Sequence, residues 1–125
     1  METNKPPQRT HENYIVSFTD GTVKIGTTRR GTKRIDEVVK EKRKNNNIYV
    51  VSYYLSNIRT KEDAFRAERD TCYLMRRRAL ENTREWLKSN SLDSSDIRDF
   101  ADYVKQTLDL FASGIGLKRS SKNEL

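Results

Sequence analysis

The chain of 125 residues holds a single cysteine and a single histidine, and that scarcity removes several chemistries. A lone Cys72 cannot build a disulfide framework. One cysteine and one histidine leave no Cys/His zinc cluster and no Ser-His-Asp triad built around a second histidine. Within a helical pattern Cys72 reads as a small core residue, and its solitude predicts an intracellular compartment. No stretch is long and apolar enough to span a bilayer, so no membrane partner is expected. The first dozen residues are polar, carry Pro6-Pro7 and are unlike a secretory signal. Neither a P-loop nor a dinucleotide fingerprint is present.

What the chain does have is positive charge. The formal net charge of +7 and a pI near 9.6 favour a polyanionic partner, because each neutralised phosphate releases condensed counterions. DNA is the expected partner and RNA the other candidate; the bland alternative is a basic, inert surface. Residues 24 to 44 hold nine Lys or Arg against three acids, whereas residues 91 to 112 hold two against five. The basic face therefore belongs to the first half of the chain. A hydrophobic content of 34% fits one compact domain with a modest core plus tails.

Residues 1–12 read as a flexible polar leader, with His11 solvated at its end. Tyr14, Val16 and Phe18 alternate with Ile15, Ser17 and Thr19 as a strand does, and Asp20-Gly21 predicts a type I′ hairpin turn. The return strand, Thr22 to Gly26, puts Val23 and Ile25 on one face and Lys24 on the other with polar neighbours. A helix follows, capped by Thr32 or a neighbour, with Ile35, Val38 and Val39 as its apolar stripe up to about Arg43. Ile48 to Leu55 predicts a well-buried third strand.

Thr60 and Asp63 then form a capping pattern for a helix running to about Ala79, with Ala64, Phe65, Cys72 and Met75 inward. Trp86 anchors a turn by packing. Ile97, Phe100, Ala101, Val104, Leu108 and Phe111 recur at helical spacing over 94–112. That acidic helix packs on the core or meets a protein partner. The fold expected is α/β: a small three-stranded antiparallel sheet flanked by helices, plus this C-terminal amphipathic helix. The domain would cover 13–88, the helical extension 89–113 and a flexible basic tail 114–125.

Hydrolysis of a phosphodiester needs an activated water, stabilised phosphoryl charge and help for the leaving oxygen. Tyrosine, lysine, arginine and a carboxylate remain to supply them. Tyr14, the Lys24-Ile25-Gly26 tripeptide ten positions on, Arg34 eight positions after Gly26, Glu68, and Glu85-Trp86-Leu87 occur in that order. This arrangement resembles the GIY-YIG nuclease superfamily, in the branch of phage and bacterial proteins whose second signature reads KIG. The resemblance covers roughly Tyr14 to Leu87. Glu12-Asn13 stand where the family has a glycine and an aliphatic residue, and Val38 stands where many members carry histidine or tyrosine.

The resemblance implies a metal-dependent endonuclease. Glu68 would hold one Mg²⁺ or Mn²⁺ whose remaining shell is water and substrate oxygen. Arg34 would stabilise the phosphoryl charge, Tyr14 would accept a proton from the attacking water, and Lys24 would assist deprotonation or phosphate binding. Arg29, Arg30 and Lys33 would grip the backbone beside Lys24 and Arg34. Read without the family, Tyr14 is equally a core aromatic, Arg34 a solvated helix residue and Glu68 the ion-pair partner of Arg66, of Arg69 or of a neighbouring strand. Arg76-Arg77-Arg78 is either a backbone contact or a solvated run. A non-catalytic protein that binds nucleic acid or inhibits a host protein on the same frame would share the pattern.

Overall fold

The computed structural model describes residues 8–44, 47–75 and 86–114. Five strands and three helices follow in the order β1 (Arg9–Phe18), β2 (Thr22–Thr28), α1 (Thr32–Lys42), β3 (Val50–Leu55), β4 (Arg59–Thr60), α2 (Lys61–Met75), β5 (Trp86–Lys88) and α3 (Ser94–Ala112). The sheet is antiparallel throughout, with strand order β3-β1-β2-β5, and β4 pairs with the start of β1. The α/β class is as expected, but β4 and β5 enlarge the three-stranded sheet. Both are too short to produce a readable alternation.

Both faces of the sheet are covered. Ile15, Val23 and Ile25 pack with Ala67, Met75, Val104 and Leu108 of α2 and α3; Tyr14, Val16 and Phe18 pack with Ile35 and Val38 of α1. This explains why β1 is buried continuously from Asn13 to Phe18 although its residues alternate between faces. Burying each large apolar side chain here contributes about 1.5–3 kcal/mol. The apolar stripe of α3 is thereby used on the core, the first of the two roles open to it. Asp93 caps this helix, accepting hydrogen bonds from the Ser95 and Asp96 amides at its positive end.

Several local expectations change. β1 begins at Arg9, four residues ahead of the expected boundary, because it finds a partner in β4; His11, read as solvated, is buried there. Thr19, Asp20 and Gly21 form the hairpin loop, and only Gly21 has positive φ, at 87°. The Gly21 amide donates to the Phe18 carbonyl at 2.9 Å, so the turn is type I closed by a left-handed glycine rather than type I′. The cap of α1 is the neighbour of Thr32, Gly31, with φ 58° and no side-chain hydrogen bond, as the expectation allowed. β3 lies at the sheet edge and is half-buried, with Tyr53 65% exposed. Thr60 does cap α2, accepting from the Asp63 amide at 3.0 Å, but Phe65 turns outward. Arg76-Arg77-Arg78, Glu85, residues 1–7 of the leader and 115–125 of the tail lie outside the described residues.

Candidate functional site

The β1–β2 register sets Tyr14 opposite Gly26 and Val16 opposite Lys24. Tyr14 and Lys24 therefore lie on the same face, the one covered by α1, as diagonal neighbours. A side chain at position 26 would meet the Tyr14 ring, so glycine is the residue that leaves room for it. Arg34, in the first turn of α1, donates to Glu37 at 3.0 Å. The influence of Tyr14 first, then of Glu37, raises its guanidinium above its ordinary value. Tyr14, Lys24 and Arg34 thus share one face.

Lys24 departs from its expected setting. It is buried, with its ammonium 5.2 Å from the centroid of the Trp86 ring. The cause is β5, which pairs Trp86 directly across from Lys24 and brings the indole over it. Lys42 reaches the same ring at 4.6 Å and also pairs with Asp20 at 3.0 Å, tying the end of α1 to the hairpin turn.

Glu68 comes from the other layer. It sits half-buried on α2, and its Oε1 accepts a hydrogen bond of 2.5 Å from the Thr27 hydroxyl. Arg66 reaches Asp63 at 3.0 Å and Arg69 reaches Asp70 at 3.3 Å. Thr27 follows Gly26 in β2, so its side chain points to the opposite face from Tyr14. The Gly26-Thr27 step is the link between the two groups: Tyr14 and Arg34 stand on one side of the strand and Glu68 on the other.

At the end of β2 lies a cavity of about 550 Å³ lined by Thr27, Thr28, Arg29, Arg30 and Arg34; of the four expected catalytic residues only Arg34 lines it. Arg29 and Arg30 are exposed in its wall, and Lys33 is exposed on the adjoining turn. Arg30 makes a two-pronged bond to Glu37 at 2.6 and 2.7 Å, and Arg34 adds a third at 3.0 Å. These bonds, from Arg30 first, pull the Glu37 carboxyl down to about 2.

The sequence reading passed over Asn13, Thr27, Glu37 and Arg59. Asn13 is fully buried; its amide nitrogen reaches Thr27 Oγ1 at 3.1 Å and the Ala64 carbonyl at 3.0 Å, while its oxygen accepts from Arg59 at 2.6 Å. Arg59 continues to Asp109 at 2.7 Å, so a polar chain runs from α3 through Asn13 and Thr27 to Glu68. An asparagine inside a strand was the available signal, since strands are poor in it.

Among the described residues there is no cluster of three or more His, Cys, Asp or Glu. The oxygen donors here are the Glu68 carboxylate and the Thr27 hydroxyl. Such a set fits a hard cation that keeps most of its water, and not a zinc site. Among the described residues no helix is long and apolar enough to cross a membrane.

The T5orf172 domain, a phage-associated domain, matches residues 8–108. The chain belongs to the T5orf172 domain family. No curated protein and no solved structure matches it. The T5orf172 match takes in β1 and most of α3.

Proposed function

We propose that the protein is a metal-dependent endonuclease of GIY-YIG type that hydrolyses phosphodiester bonds in DNA. The observation that carries this reading is Tyr14 seated on a glycine that a Cβ would obstruct, on the face that α1 covers, where Arg34 of α1 also lines an arginine-rich cavity. Membership of the T5orf172 domain family supports a nucleic-acid-related role. A lone buried Cys72 suits action inside the cell, in the cytoplasm of a bacterial or phage-infected host.

In this reading Arg29, Arg30 and Lys33 hold the DNA backbone, and Arg34 stabilises the charge that builds on the phosphoryl oxygens. Tyr14 takes the proton of the attacking water as the new phosphorus–oxygen bond forms and the ester bond to the leaving oxygen breaks. Lys24 assists that proton transfer or the binding of phosphate. Glu68, aimed by Thr27, would hold one Mg²⁺ or Mn²⁺, which when bound supplies charge stabilisation and help for the leaving oxygen. Selectivity, in this reading, comes from DNA structure, a partner or dimerisation.

A second reading, nucleic-acid binding or host-protein inhibition without turnover, is favoured by Lys24 lying against Trp86 and by Glu37 occupying Arg30 and Arg34. One assay separates the two. Supercoiled DNA, branched DNA and RNA are incubated with the protein and Mg²⁺ or Mn²⁺. Cleavage that disappears in Glu68→Ala and Arg34→Ala supports the nuclease; firm binding with no cleavage under either metal defeats it. Cleavage confined to RNA reassigns the substrate.

A further inference from the structure

A second basic surface lies beyond the cavity at the end of β2. An open groove of about 830 Å³ runs where α2 begins, and Lys61, Phe65, Arg66 and Arg69 line it together with Glu62. Phe65 was expected in the core, yet it is 47% exposed. Its ring contacts the buried His11 ring at 5.7 Å, tilted by 58°, which fixes the phenyl against β1 while leaving the rest of it open to the groove. Asp63 and Asp70 brace Arg66 and Arg69 at 3.0 and 3.3 Å without covering them, since the Arg69 side chain is 61% exposed.

His11, whose ring Phe65 touches, is under the influence of both Arg29, in the wall of the first cavity, and Lys61, in the lining of this groove. A cationic track with an exposed, immobilised aromatic ring is the arrangement that holds an unpaired strand, because phosphates follow the charges and a base stacks on the ring. A duplex keeps its bases inside and gains nothing from such a ring. An apolar helix partner would want more than one aromatic residue among the three cations of this groove.

We propose that the groove lined by Lys61, Phe65, Arg66 and Arg69 binds single-stranded nucleic acid, with a base stacked on Phe65 and the strand leading past His11 to the cavity of Arg29, Arg30 and Arg34. The preferred substrate then has an unpaired segment next to the bond that is cut. The assignment rests on the nuclease reading for the identity of the polyanion, while the binding site itself needs no turnover.

The test is fluorescence anisotropy of the full chain with a short labelled oligothymidylate and with a duplex of equal length, both in EDTA so that cleavage plays no part. Phe65→Ala should weaken single-strand binding about tenfold, leave its salt dependence unaltered and leave duplex binding alone. Phe65→Trp should restore it, which a merely structural role would not require. Lys61→Ala with Arg69→Ala should reduce the salt slope by about 1.4, the loss of two phosphate contacts on a single strand. Wild-type affinity in Phe65→Ala, or equal loss on single strand and duplex, overturns the proposal. So does a poly-glutamate peptide whose binding is lost in Phe65→Ala while oligonucleotide binding is kept, which would assign the groove to a protein. Absence of cleavage in the separate assay with Mg²⁺ or Mn²⁺, with the Phe65 effect on binding intact, would defeat the nuclease reading alone.

Discussion

The ring of Tyr14 lies against the backbone of Gly26 so closely that a Cβ at position 26 would stand 2.2 Å from both Cζ and the hydroxyl oxygen. No rotamer change of a new methyl relieves that contact, because the Cβ position is fixed by the backbone. The glycine of the Lys24-Ile25-Gly26 signature is thus a seat for the tyrosine of the first signature.

Gly26→Ala should therefore displace Tyr14 from Arg34 and destabilise the fold by about 1–3 kcal/mol, the usual cost of overpacking. Urea denaturation measures the loss. Tyr14→Leu in the same background removes most of the clash, and the double variant should recover part of the stability while remaining inactive. Full stability in Gly26→Ala would contradict the contact.

Glu37 occupies the guanidinium groups that a phosphate would seek. Its folded value of about 2 lies below the ordinary 4.5, so its contribution to stability is present above pH 4.5 and is lost as pH falls toward 2. Glu37→Gln should flatten stability across that window. It should also tighten DNA binding at neutral pH by up to about fivefold, the scale of an exposed ion pair. Unchanged or weaker binding would mean that Glu37 aims the arginines rather than competing for them.

His11 carries the opposite sign of argument. Burial first, then Arg29 and Lys61, lower it from the ordinary 6.5, so the folded chain resists a proton that the unfolded chain accepts. Stability should hold above pH 6.5 and decline as pH falls below it, toward the lowered folded value. Denaturation curves at about pH 7.5 and about pH 5.5 should differ more in the wild type than in His11→Gln. Equal differences would remove His11 from the account.

Asn13 joins strands, helix and arginine through one buried amide. Asn13→Leu should cost about 1–3 kcal/mol by leaving polar partners unsatisfied. A double-mutant cycle of Asn13→Ala with Arg59→Ala should show a coupling of about 1 kcal/mol, whereas additive losses would show that the bond is unimportant. Cleavage should fall further than stability in Asn13→Leu, since Thr27 loses a contact that directs it toward Glu68.

Much of this was legible in the chain. Alternation marked the body of β1, and the 3.6-residue spacing of Ile97, Ala101, Val104, Leu108 and Phe111 marked α3 with its buried face. Glu68 stood out only through its place in the ordered series of motif residues, since periodicity alone favoured an ion pair. What escaped were features that depend on a distant partner. The pairing of β5 with β2 turns Lys24 toward an indole, and the pairing of β4 with β1 buries His11; neither short strand announces itself. Asn13 looked like a flaw in a signature, whereas it serves as the junction of a network whose other members lie far along the sequence. Phe65 fell on the outward side of α2 because the inward positions were filled by Ala64, Ala67 and Cys72, small residues that let the helix sit close.

Trp86 is the only tryptophan in the chain, and two ammonium groups flank its ring. The molecule therefore carries an optical reporter at the site, without any label. An indole under two cations emits according to where those charges stand, and Lys24 is one of the groups assigned to phosphate. When a nucleic acid draws Lys24 away, the emission should change in step, so occupancy of the site can be read by light in the unmodified protein.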